Sequence, residues 1–202
     1  MKLYFSPGAC SLSPHIVLQE SGLPFTLVKA DLKTHQLEDG TDYYPVTSKG
    51  QVPLLELDGG ERLSEGPAIV QYLADQVPAK NLVPANGTMA RYRVQEWLNF
   101  ITSELHKGIG GLFNPAMPED GRTVIRARAT AKLKWVDEQL EGKQYLMGDA
   151  FSIADPYLFT MITWTAHTGI DISAMKNLLA YQALMAARPS VQAAMRAEGL
   201  LK

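Results

Sequence analysis

Cysteine is nearly missing from this chain. Cys10 is the single cysteine in 202 residues, so no intrachain disulfide can form and a reducing compartment fits best. A surplus of one charge is missing too: 19 Lys and Arg against 21 Asp and Glu leave a formal net charge of -2. No run of Lys or Arg marks a footprint for nucleic acid or an anionic membrane. No stretch approaches the ~20 apolar residues of a membrane helix. The first residues, Met-Lys-Leu-Tyr-Phe-Ser-Pro-Gly, lack the apolar run and small-residue cleavage site of a signal peptide. These absences predict a cytoplasmic protein that engages neither nucleic acid nor membrane. No spacing of His, Cys and carboxylates resembles a metal site, so none is expected. Ser13 stands where a Cys-x-x-Cys motif needs its second thiol, which excludes two-thiol redox chemistry on this chain alone.

What is present divides into two parts. Lys2 to Phe5 reads as a strand, Cys10 to Ser21 as a helix stopped by Gly22, and Phe25 to Ala30 as a second strand. The polar stretch from Asp31 to Lys49 reads as a loop with at most one short helix. Val52 to Leu57 and Arg62 to Leu63 form a hairpin around Asp58-Gly59-Gly60, and Pro67 to Gln76 a helix. A β-α-β unit followed by a hairpin and helix makes a small mixed sheet. The Pro, Gly and Asn content of 78–87 marks a linker. Beyond it strand signals vanish: helices are predicted at Met89–Phe113, Glu119–Leu140, Ser152–His167, Asn177–Ala187 and Ser190–Glu198. The domain expectation is therefore 1–79, a linker at 80–88, and an all-helical domain over 89–202.

The chemistry concentrates in a few places. Proline cannot donate to a sheet ladder, so Pro53 belongs at a strand start. A cis Val52-Pro53 bond would turn the Val52 N–H and C=O outward for an extended peptide, although only about one X-Pro bond in twenty is cis. Cys10 follows a Pro-Gly turn at a helix start, where free N–H groups and the helix dipole favour a thiolate. It reads equally as a small buried residue. Ser64-Glu65-Gly66-Pro67 opens the next helix. Its free N–H groups suit a carboxylate, and plain capping explains it as well. Ser103 lies four residues after Asn99, and His106 and Lys107 three and four after Ser103, so the four share one polar stripe, which by itself reads as a solvated face. His15 and His167 lie in apolar helices and read as structural. Ser152 and Asp155 form an Asp version of the capping box. Trp97, Trp135 and Trp164 sit at apolar helical positions and read as core.

Taken together, Pro7-Gly-Ala-Cys-Ser11, Gly50-Gln-Val-Pro53, Leu63-Ser-Glu-Gly66, Glu104-Leu-His-Lys107 and Phe151-Ser-Ile-Ala-Asp155 resemble a cytosolic glutathione transferase of the bacterial beta class. The resemblance runs the whole chain, and the order and spacing of the motifs make it specific. It implies a thioredoxin-like N-terminal α/β domain, an all-α C-terminal domain, and a homodimer with sites near the subunit interface. It implies conjugation of glutathione, the co-substrate, to small hydrophobic electrophiles in detoxification, of the EC 2.5.1.18 type. Glutathione would lie extended, with its cysteinyl backbone on Val52 held by cis-Pro53 and its γ-glutamyl end on Glu65 and Gly66. Ala9 and Gln51 would join the binding site. Cys10 would face the sulfur, with Cys10, Ser11 and His106 as the catalytic set that stabilises the thiolate. His106 and Lys107 would come from the helical domain, and Asn99 and Ser103 would reach the neighbouring subunit's ligand. Tyr4 is a reserve thiol partner, with core packing as its first role. The segment from Gly108 to Pro118, with Leu112, Phe113 and Met117, would offer the electrophile an apolar wall.

One position departs from the pattern. His35 stands where a lysine contacting the glycyl carboxylate is usual, with Lys33 nearby. Two alternatives to conjugation come from the same resemblance. One is thiol transfer through a mixed disulfide of Cys10 with glutathione. The other is a non-catalytic protein-interaction module, as this fold serves in stringent-starvation regulators and elongation-factor subunits.

Overall fold

The protein is described from a computed structural model that covers residues 1–201. The chain forms two compact units, Met1–Leu82 together with the segment from Pro189 onward, and Val83–Arg188. The first unit is built on β1 (Lys2–Phe5), α1 (Leu12–Ser21), β2 (Thr26–Asp31), β3 (Gln36–Leu37), β4 (Leu54–Glu56), β5 (Arg62–Ser64) and α2 (Gly66–Asp75), with α8 (Pro189–Ala197) added from the chain's end. The strand order is β3-β2-β1-β4-β5. β1 and β2 are parallel, joined by the α1 crossover, and the other pairs are antiparallel. The predicted mixed sheet is present. The stretch from Asp31 to Lys49 differs from expectation. It holds the short strand β3 and no helix, because the Asp31 carboxylate takes the N–H groups of Lys33 and Thr34 and turns the chain back onto β2.

Alternation sorts the two faces of this sheet. Leu3 and Leu55 are register partners and fully buried. Phe5 shares their face and meets His15 of α1, ring centroids 6.3 Å apart, so α1 covers that side. Tyr4 points the other way, into a cluster with Ala30, Tyr43, Val52 and Leu54. That cluster seats the residue before Pro53, and the Val52-Pro53 peptide bond is cis.

α8 packs on α1 in the first unit, where the sequence reading places it with the second domain. The reason is a buried polar contact that no linear pattern displays. His15 Nδ1 lies 2.8 Å from Glu198 Oε1, both side chains fully buried, and Glu198 Oε2 accepts from the Gly8 N–H at 2.9 Å. The chain's last turn thereby fastens the loop that carries Cys10. Gly8 adopts φ +70°, where a side chain would be strained.

In the second unit α3 (Met89–Phe100) runs through a π-helical stretch, Ile101–His106, into α4 (Lys107–Gly111). α5 (Glu119–Gln139), α6 (Ala154–Thr168) and α7 (Lys176–Ala186) complete it. α6 is buried almost all round, as its continuous apolar run predicts. Its start is tied down by Asp155, which is fully buried. Asp155 Oδ2 accepts from the Ser152 N–H at 2.7 Å and the Ser152 hydroxyl at 3.0 Å, and Oδ1 accepts from the Leu146 N–H at 2.9 Å. The Tyr181 hydroxyl of α7 donates to the Asp155 carbonyl at 2.9 Å and to Oδ1 at 3.2 Å. The helix begins at Ala154, so the expected box becomes a wider brace joining the 146–152 loop to α7. Burial pushes the Asp155 carboxyl up to about 6, against the pull of these donors. Trp135 departs from its expected core role: it is 41% exposed, in an aromatic cluster with Trp97 and Phe100.

Among the described residues no helix is long and apolar enough to cross a membrane, and no group of three or more His, Cys, Asp and Glu could hold a metal ion.

Candidate functional site

In the first unit the candidate residues lie along one end of the sheet. Cys10 is half-buried in the turn between β1 and α1, and its thiol donates to the Val52 carbonyl at 3.3 Å. In that contact a Cys10 thiol can only donate, since a carbonyl oxygen accepts. The Ser11 hydroxyl accepts from the Ser6 N–H at 3.2 Å and donates to the Ser6 carbonyl at 3.3 Å, and Ser11 is fully buried. Ser11 serves to close the turn. Tyr4, the reserve candidate, directs its hydroxyl to Glu56 at 3.3 Å, and burial and that carboxylate raise its pKa. It packs in the core, as expected.

Glu65 is exposed at the N-terminus of α2, and its carbonyl accepts from the Ala68 and Ile69 N–H groups. Its backbone has φ +70° and ψ +112°. A non-glycine residue there costs on the order of 1–3 kcal/mol, and such outliers cluster at ligand clamps. Gly66 follows as the first helical residue. Lys49, which the sequence reading missed, places its ammonium 2.6 Å from Glu65 Oε1 and 3.1 Å from the Ser64 hydroxyl. A ligand ammonium at Glu65 would therefore share this carboxylate with Lys49. The spacing of Lys49 to Glu65 across a hairpin carries no sequence signal.

His35 also has a positive φ, +53°. Its ring lies 4.7 Å from the ring of Tyr44, and Nδ1 is 3.2 Å from the Gly50 carbonyl oxygen. A carbonyl can only accept, so the proton sits on Nδ1 and a neutral His35 offers a lone pair at Nε2. Gly50 has φ +59°, and a Cβ there would meet His35 Nδ1 and Tyr44 Cε1 at 2.8 Å, so glycine is required for this approach. Gln51 is exposed, and its carbonyl accepts from the Tyr43 hydroxyl at 3.1 Å. Ala9 packs partly buried against the Tyr4 cluster. Lys33 is exposed on the turn after β2.

In the second unit Asn99, Ser103 and Lys107 are exposed and His106 is half-buried, so the polar stripe exists. His106 ends the π-helical stretch, a distortion frequent at functional sites. Its Nδ1 lies 2.6 Å from the Tyr157 hydroxyl. Its ring meets Trp164 nearly edge-on at 5.1 Å, and Trp164 in turn meets Phe113 at 5.4 Å. Phe113 is 48% exposed, and Trp164 is buried against it. The sequence reading placed Trp164 in the core and did not single out Tyr157. Their convergence on His106 comes from α6 packing beside α4.

Comparison with known proteins defines the class. Models of the glutathione S-transferase N-terminal domain and C-terminal domain match residues 8–76 and 89–197. This chain belongs to the glutathione S-transferase family. It is 48% identical over 200 residues to glutathione S-transferase GstA of Escherichia coli O157:H7, covering 99% of this chain and 100% of that one. A sphingomonad glutathione S-transferase complexed with glutathione is 46% identical, with a TM-score of 0.95 over 100% of both chains. A bacterial beta class glutathione S-transferase from Sphingomonas chungbukensis is 48% identical, with a TM-score of 0.96 over 100% of both. The fold, family and class that the motifs resemble are borne out.

Proposed function

We propose that this chain ionises the thiol of glutathione and transfers it to small hydrophobic electrophiles, as a homodimer serving detoxification in the cytoplasm. The observation that carries the reading is the sequence of groups along the first unit. A thiol donor at Cys10 lies on the Val52 carbonyl beside cis-Pro53, and a strained Glu65 opens α2. An extended tripeptide needs this order: backbone partners at its centre, and an ammonium and carboxylate site at its γ-glutamyl end.

The free thiol of glutathione ionises near the value of Cys, about 8.5, so little is anionic at neutral pH. Donors aimed at the sulfur shift that balance, each unit being worth about 1.4 kcal/mol. Cys10 holds such a proton and can turn it from the Val52 carbonyl to a ligand sulfur. The thiolate attacks the electrophilic carbon, forming the C–S bond as the leaving group departs with its electron pair, and the thiol proton passes to solvent. Val52, Gln51 and Ala9 are assigned to the ligand backbone, Glu65 and Gly66 to the γ-glutamyl end, and His35 to the glycyl carboxylate. From the second unit the resemblance assigns His106, Lys107, Asn99 and Ser103 to ligand binding, with His106 as a second donor to sulfur. The resemblance places Ser11 in the catalytic set, and its hydroxyl is already held by the Ser6 backbone.

The test combines retention on glutathione-agarose with turnover of a panel of aromatic halides and hydroperoxides. Retention with conjugate formation is expected. Retention without any turnover would make the chain a non-catalytic binding module, and neither retention nor turnover would sink the glutathione reading altogether.

A further inference from the structure

The His106 ring can carry its proton on either nitrogen. That choice decides its chemistry. An imidazole with hydrogen on Nε2 offers a donor there, whereas the other tautomer offers a base.

The contact with Tyr157 bears on that choice. Tyr157 is 3% exposed and lies in the first turn of α6. Its hydroxyl oxygen is 2.6 Å from His106 Nδ1. At 2.6 Å the pair is closer than the usual span of an N–H···O bond, about 2.7–3.2 Å, which favours the hydroxyl as donor. Acid–base strength agrees. A phenol, with its ordinary pKa near 10, is a far better donor than a neutral imidazole N–H, and the imidazole lone pair is the better acceptor. Tyr157 is itself placed by the brace at the start of α6. Asp155, two residues earlier, is locked to Ser152, Leu146 and Tyr181. Edge contacts of the His106 ring with Tyr157 at 5.8 Å and Trp164 at 5.1 Å hold its plane.

We propose that Tyr157 is a positioning residue: its hydroxyl donates to His106 Nδ1 and fixes the imidazole as an Nε2–H donor. His106 is thereby committed to stabilising an anion and barred from acting as the base that removes a thiol proton. This rests on the assignment of His106 to the glutathione sulfur, and the test separates the two claims.

The first measurement needs no ligand. Long-range 1H–15N spectra of 15N-labelled protein report the tautomer, with His106 resonances identified by their loss in His106→Asn. The native protein is expected to carry hydrogen on Nε2. Tyr157→Phe is expected to show a mixture of tautomers, while the signals of His167 on the same helix report an intact fold. Hydrogen on Nδ1 in the native protein would overturn the proposal without recourse to any variant, as would an unchanged tautomer in a folded Tyr157→Phe. The second measurement adds glutathione. In Tyr157→Phe the ultraviolet thiolate absorbance of the complex at neutral pH should drop. Its kcat should fall roughly three- to tenfold, the worth of one modest hydrogen bond, with KM for glutathione little changed. If the tautomers behave as expected but His106→Asn keeps full thiolate absorbance and kcat, the tautomer assignment stands and the placing of His106 at the sulfur is what fails.

Discussion

Cys10 and His35 show how one hydrogen-bond partner sets a side chain's chemistry. The Cys10 thiol rests on a carbonyl, an acceptor, so it is set up to share a proton rather than to attack. Cys10→Ala should therefore still bind glutathione and keep part of its conjugating activity, while losing any mixed disulfide with glutathione. Mass spectrometry after incubation with oxidised glutathione, beside steady-state kinetics, checks both. Abolished conjugation at unchanged glutathione affinity would instead mean a covalent role. His35 spends its Nδ1 proton on Gly50, so it can donate to a carboxylate through Nε2 only when the ring is charged. Affinity for S-methylglutathione, which keeps both carboxylates, should fall in His35→Ala and return in His35→Lys by calorimetry, and unchanged affinity in His35→Ala would remove His35 from the carboxylate site.

At the scale of the helix, Asp155 carries the start of α6 and with it Tyr157. Truncation at Asp155→Ala leaves the buried N–H groups of Ser152 and Leu146 without acceptors, at about 1–3 kcal/mol each. A large fall in melting temperature is expected, with a loss of turnover per folded site no greater than that of Tyr157→Phe. The pH dependence has a definite sign. Folding raises this carboxyl from 3.8 to about 6, so its protonation favours the native state. That contribution is fully present below about pH 4 and is lost as pH rises through 6. The stability gap between native protein and Asp155→Ala should therefore shrink by about 1 kcal/mol from pH 5 to pH 7. Denaturant melts at the two pH values read it directly, and a gap that widens with pH would contradict the buried-carboxyl account.

For the molecule as a whole, the second unit leaves Trp135, Tyr92 and Met89 exposed at 41%, 55% and 69%. The proposed homodimer would bury apolar side chains of this kind. Sedimentation equilibrium at micromolar concentration should return twice the chain mass. A monomer mass throughout would remove the dimer, and with it the reach of Asn99 and Ser103 to a neighbouring subunit's ligand.

Much of this protein was legible in the linear sequence, because its signals are local. Strand-helix-strand order, the hairpin at Asp58-Gly59-Gly60, the helical periodicities after Thr88, and the motif spacings that resemble beta-class transferases all depend on near neighbours. They suffice for the fold and the family. What tertiary structure alone decided lies where partners are far apart in sequence. Glu198 reaches back to Gly8 and His15, so the last helix joins the first unit. Lys49 meets Glu65 across the hairpin, and Tyr157 of α6 reaches His106 at the end of a π-helical stretch that no periodicity announces. β3 was hidden because two residues paired to β2 have no period to read. The Ser11 hydroxyl is spent on the Ser6 backbone inside a buried turn, a bond that no spacing shows. A residue's type and spacing set what it can do. Its burial, and the proton each partner gives or takes, decide which of those things it does.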